Sequence, residues 1–158
     1  MKTLKTYQEL FEINYGLKNL KELPELSDTL EYLECSYNKL TELPDLPNTL
    51  KYLYCSNNKL KELPELPNNL IELNCSDNKL TELPELPDTL KELDCSDNQI
   101  KELPELPDTL ETLECSGNKL PYDNLKGYWK WFHEYYPIHY PEKYREYLKK
   151  QKRNKFNL

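Results

Sequence analysis

Apolar positions in this chain fall on a lattice with a period of 20 residues. The pattern L-x-x-L-x-C-S-x-N-x-L-x-x-L-P-x-L-P recurs in units that begin at Leu30, Leu50, Leu70, Leu90 and Leu110. A degenerate unit starts at Leu10, where Ile13, Leu20, Leu23, Pro24 and Leu26 keep the spacing while Tyr15 replaces the cysteine and Lys18 the asparagine. A fixed period of this length means stacked copies of one small unit, with deviant copies closing the ends.

Each unit predicts its own local structure. In LEYLECS, Leu33 and Cys35 alternate with Tyr32, Glu34 and Ser36, the period of two that sends one set inward and the other outward from a short strand. The column Asn38, Asn58, Asn78, Asn98 and Asn118 is placed to turn side-chain amides onto backbone groups freed by the bend that follows. The return segment, for example TELPDLPNT, carries two prolines in most units, which favours an extended, polyproline-like run over a helix. Its leucines, such as Leu40, Leu43 and Leu46, then point back toward Leu30, Leu33 and Cys35. Six strands stacked at about 4.8 Å give a parallel sheet roughly 24 Å across.

The two ends depart from the lattice. Residues 1–9 are expected to form an N-terminal cap, a short helix or turn in which Leu4, Tyr7 and the nearby Phe11 share one side. The repeats occupy 10–120, and residues 121–158 are expected to form a helical, aromatic-rich C-terminal cap with a basic tail. In that segment Leu125, Tyr128, Trp129, Phe132, Tyr135 and Tyr136 mark one face of a helix ending near Pro137, with a second helix from about Pro141 to Lys150 and a frayed end. Trp131 falls off the stripe. With the run KKQKRNK from Lys149 to Lys155 it offers a second reading, a docking site for nucleic acid or an anionic membrane.

The motif LxxLxCxxNxL followed by xxLPxLP resembles the leucine-rich-repeat superfamily. The period of 20 and the LPxLP return resemble the YopM and IpaH type of bacterial effector, and the C-S-x-N variant resembles repeats of bacteria and giant viruses. The resemblance implies an α/β-type leucine-rich-repeat solenoid, a parallel β-sheet on its concave side and an extended convex side, used as a binding surface. IpaH-type ligases add a catalytic domain with a nucleophilic cysteine. Here all five cysteines lie inside the repeats and 38 residues follow position 120, so the expectation is a non-catalytic module, the alternative being a relative or fragment of a ubiquitin-ligase effector without its catalytic domain.

Charge sharpens this picture. Residues 1–120 carry 12 Lys and Arg against 24 Asp and Glu, whereas residues 121–158 carry 9 against 4. An acidic body repels nucleic acid and anionic lipid, so adaptor binding of either falls to the basic end alone. The opening MKTLKTYQELFE has no apolar stretch of signal-peptide type, and no stretch reaches the ~20 residues of a membrane span; the expected location is the cytoplasm of its own cell or of a host.

Candidate chemistry is sparse. Cys35, Cys55, Cys75, Cys95 and Cys115 stand where the alternation points inward, and parallel stacking makes a line of thiols, neither a tetrahedral zinc site nor a good disulfide geometry. His133 and His139, six apart across Pro137, form no metal motif, and no cofactor is expected. Variation among the units is the better clue. Outward strand positions read Tyr32, Tyr52, Glu72, Glu92, Thr112 and Glu34, Tyr54, Asn74, Asp94, Glu114; two places after the cysteine stand Tyr37, Asn57, Asp77, Asp97 and Gly117. The expected partner-binding set is therefore Tyr32, Tyr37, Tyr52 and Tyr54 as anchors, with Glu72, Asp77, Glu92, Asp94, Asp97 and Glu114 selecting a basic protein or peptide. A plainer reading stays open: strands favour tyrosine, and carboxylates keep an exposed sheet soluble. The outer acids Glu42, Glu62, Glu82, Glu102 and Asp45, Glu65, Glu85, Glu105 repeat without variation and read as a solvated scaffold face.

Overall fold

The computed structural model describes residues 12–156. The expected cap over residues 1–9, with Leu4, Tyr7 and Phe11, lies outside the described residues.

Six three-residue strands, β1 (Glu12–Asn14), β2 (Tyr32–Glu34), β3 (Tyr52–Tyr54), β4 (Glu72–Asn74), β5 (Glu92–Asp94) and β6 (Thr112–Glu114), form one parallel sheet in sequence order. The register equals the repeat: Leu33 faces Leu53, Leu53 faces Leu73, and Leu73 faces Leu93. Between strands the chain makes no helix, and each return closes in a turn such as Pro47–Leu50, where Leu50 N donates to Pro47 O at 3.0 Å. The architecture is a parallel-sheet solenoid with an extended outer side.

The interior is a set of columns. Leu30, Leu33, Cys35 and Leu40 and their counterparts in the next two coils are fully excluded from solvent, and burying each such leucine contributes roughly 1.5–3 kcal/mol. The asparagine column does what its spacing predicts. Asn58 Nδ2 donates to Cys35 O at 3.0 Å and Cys55 O at 3.1 Å, while its Oδ1 accepts from Leu40 N at 3.0 Å. Asn78 and Asn98 repeat the arrangement. A second ladder runs on the return side: Thr49 Oγ1 donates to Asp28 O and Leu30 O, both at 2.8 Å, and Thr89 and Thr109 do the same one coil apart from their own. Both ladders give the irregular backbone the partners it needs away from water, and among the described residues no buried side-chain nitrogen or oxygen lacks a partner.

After the last repeat come α1 (Leu125–Glu134), α2 (Tyr136–His139) and α3 (Pro141–Phe156). Helix α3 runs past Lys150 through the basic stretch, longer than the sequence suggests, because Lys, Arg and Gln are good helix formers and nothing between Pro141 and Phe156 breaks the run. The link to the stack is Pro121–Asn124. Cys115 N donates to Asp123 O at 2.9 Å, and Glu114 and Asn124 form an antiparallel bridge, so this segment covers the open edge of β6. Asn124 then caps α1 by accepting from Gly127 N at 3.0 Å. A Cβ at Gly127 would stand 3.1 Å from Tyr122 Cβ, so the glycine lets the helix lie close over Tyr122.

Tyr128 and Phe132 are buried, as the helical stripe predicts. Trp131 is a correction: it is half-buried, its ring 5.3 Å from Tyr122 and stacked on Tyr135 at 5.8 Å. The hydrophobic stripe of α1 alone misplaces it, because the apolar surface continues onto Tyr122, a residue contributed by the connecting segment.

Candidate functional site

On the sheet's outward face the in-register pairing turns sequence differences into zones. Tyr32 lies beside Tyr52, and Glu34 beside Tyr54. The ring of Tyr32 packs 6.2 Å from that of Tyr52 and 5.3 Å from that of Tyr54, a tilted cluster of half-buried rings. Burial first, then Glu34, Glu12 and Glu72, push the Tyr32 hydroxyl above its ordinary pKa. Burial and a hydrogen bond to Glu72 do the same for Tyr54. These hydroxyls are therefore protonated donors set among carboxylates.

Toward β4 and β5 the pairing brings Glu72 beside Glu92 and Asn74 beside Asp94; Glu114 stands beside Asp94 on β6. Like charges at adjacent positions of a sheet are unfavourable. Lysines are present one position away from the outward columns: Lys51 pairs with Glu31 at 2.8 Å and Lys91 with Glu111 at 2.9 Å. Among the described residues Glu72 and Glu92 form no ion pair.

The structure separates the remaining expected residues by local role. Asp94 Oδ1 accepts from Ser96 N at 3.0 Å and from Ser96 Oγ, as Asn74 does for Ser76 and Glu34 Oε1 for Ser36 N at 2.6 Å. Asp94 thus closes a local turn as well as facing solvent. Asp77 and Asp97 occupy left-handed backbone, both at φ 51, in a column with Asn57 and Gly117. There the bend aims each backbone N–H at the next coil: Asp77 N donates to Ser96 O at 3.0 Å and Asp97 N to Ser116 O at 2.8 Å. Asn, Asp and Gly suit that conformation, so the variation at this position has a backbone cause that the strand alternation does not reveal.

Tyr37 sits in the same column at φ 57, and Leu17 one coil earlier at φ 58. Neither residue type favours left-handed backbone, and both side chains are exposed, Tyr37 at 59% and Leu17 at 76%. With Tyr54, Glu34, Ser36 and Asn74 they line a shallow open cavity of about 350 Å³. Leu17 is the residue that the sequence reading missed; its signal was position, directly one period before Tyr37.

The cysteines are free and fully buried in the column between strands. Burial pushes the Cys35 and Cys115 thiols up to about 12, and those of Cys55, Cys75 and Cys95 well above their ordinary range. A thiol in that state is a small apolar side chain, not a nucleophile. His133 stacks on Trp129 at 5.7 Å and lies 3.2 Å from the Tyr144 hydroxyl, whereas His139 stacks on Tyr135 at 3.6 Å. Each histidine serves its own aromatic contact.

The model of the family described as leucine-rich repeats in two copies matches residues 28–68 and 68–108. The chain belongs to the leucine-rich-repeat family. Among solved structures it is similar to YopM of Yersinia enterocolitica, at 44% identity and TM-score 0.63 over 65% of this chain and 25% of that one. It is also similar to the leucine-rich-repeat domain of a Shigella effector, at 45% identity and TM-score 0.67 over 68% and 49%. YopM of Yersinia pestis matches at 34% identity and TM-score 0.57 over 66% and 36%. The repeats are thus of the YopM and IpaH effector type, and the chain spans a quarter to a half of the length of the structures it matches. Comparison with curated proteins returns no match. Repeats of this kind are protein-interaction modules, and no helix among the described residues is long and apolar enough to cross a membrane.

Proposed function

We propose that this repeat domain is a non-catalytic binding module that holds a basic protein or peptide on its concave sheet. The observation that carries this reading is the juxtaposition of the packed Tyr32, Tyr52 and Tyr54 rings with the adjacent carboxylates Glu72 and Glu92, which form no ion pair among the described residues. Half-buried tyrosines supply contact area at low entropic cost and present hydroxyl donors. A cationic partner relieves the repulsion between the carboxylate columns, so its binding is favoured beyond simple area burial. Tyr37 and Leu17 extend the surface: bulky exposed side chains held in an unfavourable backbone region mark positions where something other than stability selects the residue.

The buried, protonated thiols argue against catalysis by this chain's cysteines, and the acidic sheet argues against nucleic acid or anionic membrane at this face. By analogy with the effectors it resembles, the module acts in the cytoplasm, its own or a host's.

The deciding experiment is affinity capture from cytosolic lysate with the wild type and with a Tyr32→Ser, Tyr52→Ser, Tyr54→Ser variant, both first shown to be folded by circular dichroism. The expected result is a partner of basic character retained by the wild type at low salt and lost by the variant. Equal retention by both proteins moves the working surface away from the sheet.

A further inference from the structure

The return side is uniform along most of its length but not at its C-terminal end. There the cap folds back over the last coils and leaves a cavity of about 530 Å³, within the range of ligand sites in proteins. The cap lines it with Tyr122, Tyr128, Trp129 and Trp131, and the coils line it with Glu82 and Glu102. Leu106, which also lines it, is buried where the equivalent Leu46, Leu66 and Leu86 are only partly so. The monotonous acidic columns therefore end against aromatic faces, which the expectation of a plain scaffold surface did not include.

We infer that this cavity is a second binding site, separate from the concave sheet, that takes an arginine side chain of a protein partner. Charge complementarity and geometry select the occupant. Glu82 and Glu102 occupy one column a single coil apart and form no ion pair among the described residues, so their backbones are separated by about the strand spacing of 4.8 Å. A guanidinium presents donors along two edges and can engage both carboxylates while its flat face lies on an indole or phenol ring. Glu105 and Glu146 also line the cavity, against one cation, Lys143. The Lys143 ammonium sits 5.8 Å from the Tyr140 ring centroid and forms no ion pair with Glu82 or Glu102 among the described residues. The field of Glu102 already acts on the aromatic residues: after burial, Tyr128 and Cys115, it helps push the Tyr122 hydroxyl upward. A lysine would gain the charge contact but not the planar fork, and a neutral apolar side chain would leave the carboxylates facing one another.

The test uses the protein's own reporters, since the chain has two tryptophans and both line the cavity. Intrinsic fluorescence is followed while the full chain is titrated with a capped tripeptide, Gly-Arg-Gly, and with the same peptide carrying citrulline, which keeps the shape and removes the charge. A saturable spectral shift in the millimolar range is expected with arginine, at least about 10-fold weaker with citrulline, and weakened by salt. Glu102→Gln, an exposed change that leaves the fold intact, is expected to weaken the arginine response roughly threefold, and Glu82→Gln with Glu102→Gln further. The triple tyrosine variant of the sheet leaves the titration unchanged, so failure here and failure of the concave-face reading are distinguishable. Equal response to citrulline, indifference to both glutamine substitutions, or a flat spectrum to saturation of the peptide overturns the inference.

Discussion

The repeat stack and the helical cap bury their apolar surface by opposite means. In the stack one solution is copied: Leu33, Leu53 and Leu73 fill equivalent positions, and Asn38, Asn58, Asn78, Asn98 and Asn118 each tie their own coil to the one before. The cap uses no copied position. Phe132 meets Tyr128 at 5.7 Å, Tyr144 at 5.5 Å and Tyr147 at 4.7 Å, in stacked, tilted and edge-on arrangements. A stack held by nearest-neighbour ladders transmits damage along its length, whereas a cap held by a local aromatic cluster loosens by itself.

The sharpest way to break the stack is Asn78→Ala. Asn78 accepts from Leu60 N and donates to Cys55 O, Cys75 O and Ser76 O, all between 3.0 and 3.1 Å; alanine orphans Leu60 N in a dry interior and takes one donor from each of the three carbonyls, which keep Asn58, Asn98 and Asn57 N respectively. The expected loss is about 3 kcal/mol, read as a shift of the urea midpoint with both coils flanking residue 78 losing amide protection together. A loss confined to one coil contradicts the ladder as the carrier of cooperativity.

Alkaline pH attacks the same columns through the thiols. Burial raises their folded pKa above the unfolded value, so the stabilisation they contribute is whole below about pH 8.5 and is lost as pH rises toward the folded values, about 12 for Cys35 and Cys115. Each thiol steepens the decline by about 1.4 kcal/mol per pH unit in that window. Tyr54 and Tyr122 act in the same direction. Thermal unfolding followed from pH 7 to 11 is expected to stay flat to about pH 8.5 and then fall steeply; a Cys75→Ala variant falls less steeply, by one proton's worth. An unchanged slope in that variant removes Cys75 from the account.

For the cap, Phe132→Leu keeps an apolar side chain but loses the ring contacts, and about 1.5 kcal/mol is expected. Hydrogen exchange then rises in residues 125–134 while β3 to β5 stay protected. Simultaneous loss of protection in the sheet shows instead that the cap and the stack unfold as one.

The same contrast explains what was legible in the sequence. A column repeated five times announces its role, so strand register, buried cysteines and the asparagine ladder follow from spacing alone. The threonine ladder recurs too, interrupted by Asn69, yet Thr49, Thr89 and Thr109 lie in a loop where no periodic rule points a hydroxyl at the preceding coil. In the cap the helix stripe located Tyr128 and Phe132, but Trp131 depends on Tyr122, brought against it by a reversal at Pro121 that is a tertiary event without a local signature. On the sheet, alternation identified which side chains face outward and was blind to φ, so the left-handed backbone that Asp77 and Asp97 share with Asn57 and Gly117 was not legible.

The smallest expected effect separates backbone conformation from partner contact within one column. At positions 57, 77, 97 and 117 the residues Asn, Asp, Asp and Gly suit left-handed backbone, whereas Tyr37 at φ 57 does not. Its backbone N–H donates to Ser56 O at 3.0 Å and fixes the bend, so the side chain is free to change without altering the fold. Tyr37→Asn is expected to stabilise the protein by about 0.5–1 kcal/mol, since asparagine tolerates the conformation at less cost, and to weaken capture of the concave-face partner in the same preparation. Stability gained together with binding lost is the signature of a residue kept for contact. If the variant is more stable and binds as well as the wild type, Tyr37 is a tolerated misfit, and the anchor surface contracts to Tyr32, Tyr52 and Tyr54, whose rings already pack on one another.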